Sequence, residues 1–139
     1  MDLMKKTIHM DQVRCSADAQ TTVEDDINIT DSKPDAYQLV TERGKVEVEE
    51  VRAMEDHVHI KGSLKFWVLY ISDEEIRRPA CMEGSLPFEE QVYLNGVNSS
   101  DAVTVRAVLE DLSVGMINSR KLSVQALVDF GLCVETVEE

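Results

Sequence analysis

The segment from Val58 to Ile71 constrains the fold more than any other part of the chain. From His57 to Phe66, polar residues alternate with apolar or small ones, which is the period of a β-strand with one buried face and one wet face. From Phe66 to Ile71 every residue is apolar, so this half of the strand is expected to be buried on both faces. The chain's single tryptophan, Trp67, lies here. The segment therefore predicts a central strand of a β domain.

A second alternating segment precedes the first one. Residues 45–54 place Val46 and Val48 on one side and glutamates on the other. A change of parity around Glu49-Glu50-Val51 predicts a β-bulge, and Glu55-Asp56 predicts a tight turn. The two segments are therefore expected to form an antiparallel hairpin.

The remaining pattern predicts further strands and one helix. Strands are expected at residues 7–16, 20–30, 80–86, 88–94, 103–109, 112–117 and from 122 past 130. The carboxylates of segment 20–30 suit an edge strand, and the break at Pro87 is expected because proline cannot donate to a ladder. A short helix is predicted to begin at Pro34 and to end at Gly44. Its apolar side would consist of Ala36, Tyr37, Leu39 and Val40.

These elements predict an all-β fold, either an antiparallel β-sandwich or a closed barrel of about seven to nine strands with one short helix. The 139 residues suffice for one domain with its own core. We therefore expect a single domain over residues 1–139, in which segment 1–19 has the poorest pattern.

Charge and cysteine content limit the classes of function. The formal net charge is −13, which disfavours binding to nucleic acid and to anionic membranes. The three cysteines include no C-x-x-C pair, so free thiols in a reducing compartment are expected. No secretory segment and no apolar stretch long enough for a membrane span occurs in the sequence. A cytoplasmic protein without membrane insertion is predicted.

The clearest candidate for a metal site is the pair His57 and His59, which alternation places on one face of a strand. Zinc needs a third and a fourth ligand, and His9 is the only other histidine of the chain. We therefore interpret the pair as exposed imidazoles and predict no metal site. A metal-dependent enzyme that uses this pair is the weakest of the alternatives.

Other catalytic arrangements are missing from the sequence. It contains no G-x-S-x-G elbow and no glycine-rich phosphate loop. Each cysteine lies in or beside an apolar strand and is expected to be a small core residue. No catalytic residue, no cofactor and no enzymatic activity are predicted.

The turn formed by Asn118, Ser119, Arg120 and Lys121 is the candidate interaction loop. It joins two apolar segments and places two cations on an acidic chain. One interpretation is a recognition loop. The other interpretation, which we favour, is a structural turn in which Arg120 pairs with Glu110 or Asp111, because exposed cations of acidic proteins find local carboxylates.

Several short elements carry a family resemblance. In chain order they are Val23-Glu24-Asp25-Asp26-Ile27, Asp31-Ser32-Lys33-Pro34-Asp35, Gly44-Lys45-Val46, Gly62-Ser63-Leu64-Lys65-Phe66-Trp67-Val68-Leu69-Tyr70, Leu86-Pro87-Phe88, Glu110-Asp111 and Ile117-Asn118-Ser119-Arg120-Lys121-Leu122. Together they resemble the SPOCS-domain family of spore-forming bacteria, the family of SipL-like spore coat morphogenesis proteins.

The resemblance implies a non-catalytic protein-interaction module in endospore coat assembly. Its expected location is the mother-cell cytoplasm at the forespore surface, and its expected partners are other spore coat morphogenetic proteins of that scaffold. Homo-oligomers through edge strands are also expected. Family members commonly carry further modules and a C-terminal LysM domain. This sequence shows no LysM pattern before Glu139, so a single N-terminal module or a short paralogue is expected.

A second class of function stays open at this point. A β-sandwich that binds a glycan or another small ligand would present Trp67, Tyr70 or Tyr93 on an exposed concave face. Burial of all three rings would remove the main support for this second class.

Overall fold

The structure, a computed structural model, describes residues 11–137 and the side chains of residues 16–134. Within this range it contains six long β-strands and no helix. The strands are β1 (Asp11–Asn28), β2 (Ala36–Met54), β3 (His57–Ser72), β4 (Pro79–Tyr93), β5 (Ala102–Asn118) and β6 (Lys121–Val137).

The six strands form two three-stranded antiparallel sheets, with the orders β1-β6-β5 and β2-β3-β4. Three tight connections make the hairpins β2-β3, β3-β4 and β5-β6, while segments 29–35 and 94–101 cross between the sheets. The predicted all-β antiparallel sandwich is confirmed. The alternative of a closed barrel is wrong, because within residues 11–137 no ladder joins one sheet to the other.

The core lies between the two central strands, β3 and β6. Alternate residues of β3 from Val58 to Tyr70 point inward, and all of the large ones are fully buried. Those of β6 from Leu122 to Val134 point inward in the same way. Burying a large aliphatic or aromatic side chain contributes about 1.5–3 kcal/mol, so these two strands dominate the stability of the fold. The outer positions Trp67, Leu69 and Ile71 stay partly exposed, so the second half of β3 is not buried on both faces as predicted.

The predicted count of seven to nine strands is wrong because two strands continue through residues expected to end them. β4 runs past Pro87, which pairs with Ser63. β4 is an edge strand, and the missing N–H of a proline is tolerated at a sheet edge. β5 absorbs Glu110 as a bulge between Leu109 and Asp111. Similarly, β1 joins two predicted strands, although residues 7–10 of the first lie outside the described range.

The predicted helix after Pro34 is also wrong, since this segment is the beginning of β2. Register shifts between Ala36 and Gln38 and between Leu39 and Thr41 insert one extra residue at two places. Each bulge moves the next inward residue one position further along the chain. The apolar spacing therefore imitates a helical period, while the backbone pairs with β3 throughout.

The predicted hairpin of β2 and β3 is confirmed, with a turn at Glu55-Asp56. Asp56 adopts a φ of 62°, a conformation that Asp tolerates better than most residues. The expected bulge around Glu49 appears as a register shift between Val48 and Glu50.

β2 and β5 are edge strands of different sheets that lie side by side. A Cβ atom built on Gly44 would lie 2.9 Å from Leu112 Cδ2 and 3.1 Å from Leu109 Cδ2. Gly44 therefore permits this close approach and does not end a helix.

Candidate interaction site

Three connecting segments meet at one end of the sandwich, which we call the Arg120 end. They are residues 29–35, residues 73–78 and the turn Asn118–Lys121. Backbone N–H groups hold them together: Ile29 donates to the carbonyl of Arg120, Ala36 to that of Ser119, and Asp73 to that of Asp35, each at 2.8 Å. The segments therefore form one hydrogen-bonded unit.

The guanidinium group of Arg120 fixes the crossing segment 29–35. Nη1 donates to the carbonyl of Lys33 and to Oδ1 of Asp35, both at 2.8 Å. Nη2 donates to the carbonyls of Ile29 and Thr30 at 2.9 and 2.8 Å. A planar fork with five N–H donors suits such a convergent set of acceptors, whereas a lysine ammonium does not.

The partner of Arg120 differs from the one predicted. The carboxylate that it binds belongs to Asp35, on the crossing segment, and not to Glu110 or Asp111. Glu110 instead forms a hydrogen bond with Asp129, which raises the pKa of Glu110. Arg120 therefore has the expected structural role, but the carboxylate it pairs with is a different one. Nothing in the spacing of Asp35 and Arg120 along the chain indicates that they meet.

Tyr70 secures the same segment from the core side. Its ring is fully buried, and its hydroxyl donates to the carbonyl oxygen of Pro34 at 2.8 Å. Burial raises the pKa of the Tyr70 phenol, so the hydroxyl keeps its proton. The crossing segment is consequently held by a guanidinium on one side and a phenol on the other.

The turn itself is stabilised locally. Oδ1 of Asn118 accepts the backbone N–H of Arg120 at 2.8 Å, which is the local side-chain bond expected of Asn in a turn. The guanidinium of Arg120 is committed to segment 29–35. Asn118 remains exposed, and Ser119 and Lys121 are partly exposed. That this loop contacts a partner stays a prediction.

Exposed apolar side chains accumulate around the Arg120 end. Among the described residues, seven large apolar side chains are exposed, and five of them lie in the segment 73–78 or in the parts of β2 and β5 next to the other two segments. These five, which we call the Tyr37 patch, are Tyr37, Val40, Ile76, Met116 and Ile117. Tyr37 and Ile117 occupy bulges of β2 and β5, and the guanidinium of Arg77 stacks 3.6 Å above the Tyr37 ring. Concentrated exposed apolar surface is typical of interaction sites.

The histidine pair lies far from this end, on the outer face of β3. His57 Nδ1 is 3.0 Å from the carbonyl oxygen of Glu55, and His59 Nε2 is 3.1 Å from Oε2 of Glu89. Within the described part of the chain, no group of three or more His, Cys, Asp or Glu residues is arranged to hold a metal ion.

Of the three aromatic rings named for ligand binding, Tyr70 points into the core, Tyr93 is 75% exposed and Trp67 is partly exposed. Trp67 and the partner of Tyr93, His57, both occupy outward positions of β3, ten residues apart, which corresponds to about 33 Å. The two exposed rings therefore lie on the same side of the sheet but far from each other. The alternative of a ligand-binding β-sandwich stays a prediction.

The cysteines with described side chains are both free. Cys81 is exposed and Cys133 is partly buried. The expectation that each cysteine is a small core residue is thus wrong for Cys81, which lies on the outward side of β4 opposite Leu69.

Comparison with known protein families settles the classification. The family model described as "SipL, SPOCS domain" matches residues 35–117, which is more than half of the chain. This chain belongs to the SPOCS-domain family. The resemblance expected from the sequence is confirmed, and the SPOCS domain suggests a sporulation-related module. Comparisons with curated proteins and with solved structures found no match.

The residues that hold the Arg120 end come from three of the elements that carried the resemblance to SPOCS domains. Pro34 and Asp35 end the element 31–35, Tyr70 ends the element 62–70, and Arg120 lies in the element 117–122. They lie far apart in sequence and meet in space. In residues 11–137 of this SPOCS domain, no helix is long and apolar enough to cross a membrane.

Proposed function

We propose that this SPOCS domain is a non-catalytic protein-interaction module in endospore coat assembly. It works in the mother-cell cytoplasm, at the forespore surface, where it binds other spore coat morphogenetic proteins. The observation that carries this proposal is the family match over residues 35–117.

The structure supports a specific contact surface, the Tyr37 patch. Loops that bind partners are typically carried by rigid scaffolds, and the bonds of Arg120 and Tyr70 make the Arg120 end rigid. The patch combines aliphatic, aromatic and thioether groups with Arg77 and Lys121 nearby. Aromatic residues, Met and Arg are enriched in protein interfaces. The partner is accordingly expected to be a coat protein that buries apolar side chains against this patch.

The experiment is affinity purification with cross-linking from sporulating cells. The tagged chain is compared with the double variant I76S/I117S, whose substituted side chains are 64% and 50% exposed. These exposed positions allow folding to be retained. We expect wild type to recover coat morphogenetic proteins. Recovery by the double variant should be at least 10-fold lower, which corresponds to a loss of about 1.4 kcal/mol of binding free energy.

The matched control is Y93S, which removes the most exposed apolar side chain at the opposite end of the sandwich. Y93S should recover the same partners as wild type. Absence of coat proteins from the wild-type sample would contradict the proposed function. Equal recovery by wild type and I76S/I117S would instead exclude the Tyr37 patch as the contact surface.

A further inference from the structure

The outward side of β2-β3-β4, which we call the Trp67 face, is close to neutral on this acidic protein. Its paired positions carry five lysines and arginines and four glutamates, and the exposed Glu49 lies at the bulge of β2, although the whole chain has a net charge of −13. The cations are Arg43, Lys45, Arg52, Lys61 and Lys65, and the carboxylates are Glu47, Glu50, Glu83 and Glu89.

The outward side of β1-β6-β5, which we call the Gly131 face, is acidic. Among the side chains that the structure describes, six carboxylates and two cations occupy this surface, and most of the others are small or polar. The carboxylates are Asp18, Glu24, Asp26, Glu110, Asp111 and Asp129, and the cations are Arg106 and Lys121.

At the centre of the Trp67 face, cations outnumber the carboxylates that pair with them. Lys45 and Lys65 lie opposite each other and share one carboxylate, that of Glu47, at 3.2 and 3.1 Å. Trp67 lies one outward position further along β3, and its Nε1 donates to Glu83 at 3.0 Å. These side chains border a shallow cleft of about 500 Å³. Tryptophan is among the residues that most often anchor protein interfaces.

The centre of the Gly131 face has the complementary shape and charge. Gly131 occupies an outward position without a side chain, between Asp18 of β1 and Arg106 of β5. The resulting depression has a volume of about 530 Å³ and is bordered by Asp18, Asp129 and Arg106. Asp129 also accepts a hydrogen bond from Gln20 Nε2 at 2.7 Å. The two carboxylates outnumber the one cation at its border.

The two faces also agree in size. Strands of about 16 residues and three-strand sheets give each face about 53 Å by 14 Å, or roughly 700 Å². A stable interface of standard size buries about 800 Å² on each partner. One face can therefore cover the other completely and reach nearly that area.

We propose that a second copy of this chain is the occupant of the Trp67 face, which it covers with its Gly131 face. Trp67 then enters the depression above Gly131, and Lys45 and Lys65 meet Asp18 and Asp129. The two surfaces differ, so the contact is head-to-tail and leaves one free face of each kind at the ends of the assembly. Such contacts extend into open stacks unless a rotation closes them. This inference does not depend on the proposed function.

The net charge of the chain opposes this association only at long range. At physiological ionic strength the Debye length is about 8 Å, so charges on distant parts of two copies are screened. Pairs in direct contact are screened much less. Association is expected to be strongest at moderate salt, to weaken at very low salt through net repulsion, and to weaken at high salt through loss of the contact pairs.

The test uses two charge-reversed variants of the full chain in sedimentation velocity experiments over the micromolar to millimolar range. K45E/K65E reverses the Trp67 face, and D18K/D129K reverses the Gly131 face. Wild type should form species larger than dimers, while each variant alone stays monomeric. An equimolar mixture should form species larger than dimers in which the two variants alternate, because one contact keeps the wild-type pairs and the other joins the reversed Glu side chains to the reversed Lys side chains.

Net charge alone predicts a different result. The first variant has a net charge of −17 and the second −9, against −13 for wild type. If self-repulsion set the degree of association, D18K/D129K would associate more than wild type does. Variants with the same charge changes outside both faces, K33E/R78E and E74K/E75K, should associate like wild type. Circular dichroism confirms folding, and D18K/E24K replaces D18K/D129K if the latter does not fold.

Trp67 gives a second readout, because it is the only tryptophan of the chain. Its fluorescence should shift to the blue as wild type assembles and stay unchanged in K45E/K65E. The proposal is overturned if wild type is monomeric throughout, if either variant alone associates as wild type does, or if a mixture of the two folded variants fails to associate. A monomer whose Trp67 responds to an acidic peptide would mean a different partner, and would also overturn it.

Discussion

At the scale of single residues, Arg120 does the most to hold the crossing between the two sheets. Its guanidinium satisfies three backbone carbonyls and the carboxylate of Asp35. Carbonyls left without a donor in a partly buried segment cost free energy. The position of Arg120 in the turn was evident from the sequence, but its acceptors were not, because the residues that meet are separated by about ninety positions.

Replacement of Arg120 should therefore destabilise the fold. We expect R120A to lower the free energy of unfolding by about 1–3 kcal/mol, since charge-assisted hydrogen bonds are lost together. R120K should recover only part of this loss, because lysine lacks the planar fork. Urea denaturation measures both effects. The adjacent K121A removes a cation with no change at the crossing, and a loss equal to that of R120A would contradict the account.

Glu110 gives a prediction about pH. Its hydrogen bond with Asp129 raises the pKa of Glu110 above the ordinary value of 4.5. The folded state therefore holds this proton more tightly than the unfolded chain does. The resulting stabilisation is fully present below pH 4.5 and is lost as the pH rises through the folded value. At neutral pH the two carboxylates repel each other.

We expect E110Q to raise the melting temperature at pH 7, because the amide donates to Asp129 and carries no charge. The gain should shrink as the pH falls through the raised pKa of Glu110 and should be smallest below pH 4.5. Thermal denaturation at a series of pH values measures this. E24Q makes the same charge change on the same face and should show no such dependence on pH. A gain for E110Q that is constant with pH would contradict the assignment.

At the scale of strands, bulges and edges explain both the success and the errors of the sequence-based fold. The alternation of β3 and β6 is regular because both are central strands with one core face, and their predicted positions are correct. The predicted helix and the extra strand breaks fall on β2, β4 and β5, which are edge strands. Edge strands accept bulges and proline, so their apolar spacing departs from a period of two. The sequence of an edge strand does not show by itself where a bulge shifts its pairing with the neighbouring strand.

Two glycines in central strands provide a matched pair. A Cβ atom on Gly62 of β3 would lie 2.3 Å from the carbonyl oxygen of Glu47 and 2.7 Å from the Phe88 ring. The nearest atom to a Cβ on Gly131 of β6 is Asp18 Oδ1, at 3.7 Å, an ordinary contact distance. The first site therefore has no room for a methyl group, and the second does.

We expect G62A to destabilise the protein by about 1–3 kcal/mol, the usual cost of overpacking. G131A should be neutral or slightly stabilising, because alanine restricts the unfolded chain. Chemical denaturation of both variants makes the comparison. Equal losses for the two substitutions would show that the close approach of β2 to Gly62 is absent.

At the scale of the whole molecule, three distinct surfaces surround one core. The Tyr37 patch offers apolar contacts at the Arg120 end, while one sheet face is close to neutral and the other is acidic. The fold class, the family and the turn at Asn118–Lys121 could be predicted from the sequence. The Tyr37 patch could not, because its residues come from β2, β5 and the β3-β4 loop, and their exposure depends on bulges. The charge of each face likewise appears only once the strand order is known.

Live-cell localisation tests the central claim, that this SPOCS domain takes part in coat assembly, most directly. A fluorescent fusion of the chain is followed by time-lapse microscopy in sporulating cells, next to I76S/I117S and Y93S. The account predicts that wild type and Y93S gather around the forespore in the mother cell, while I76S/I117S stays diffuse. A wild-type signal that remains evenly distributed throughout sporulation would contradict it.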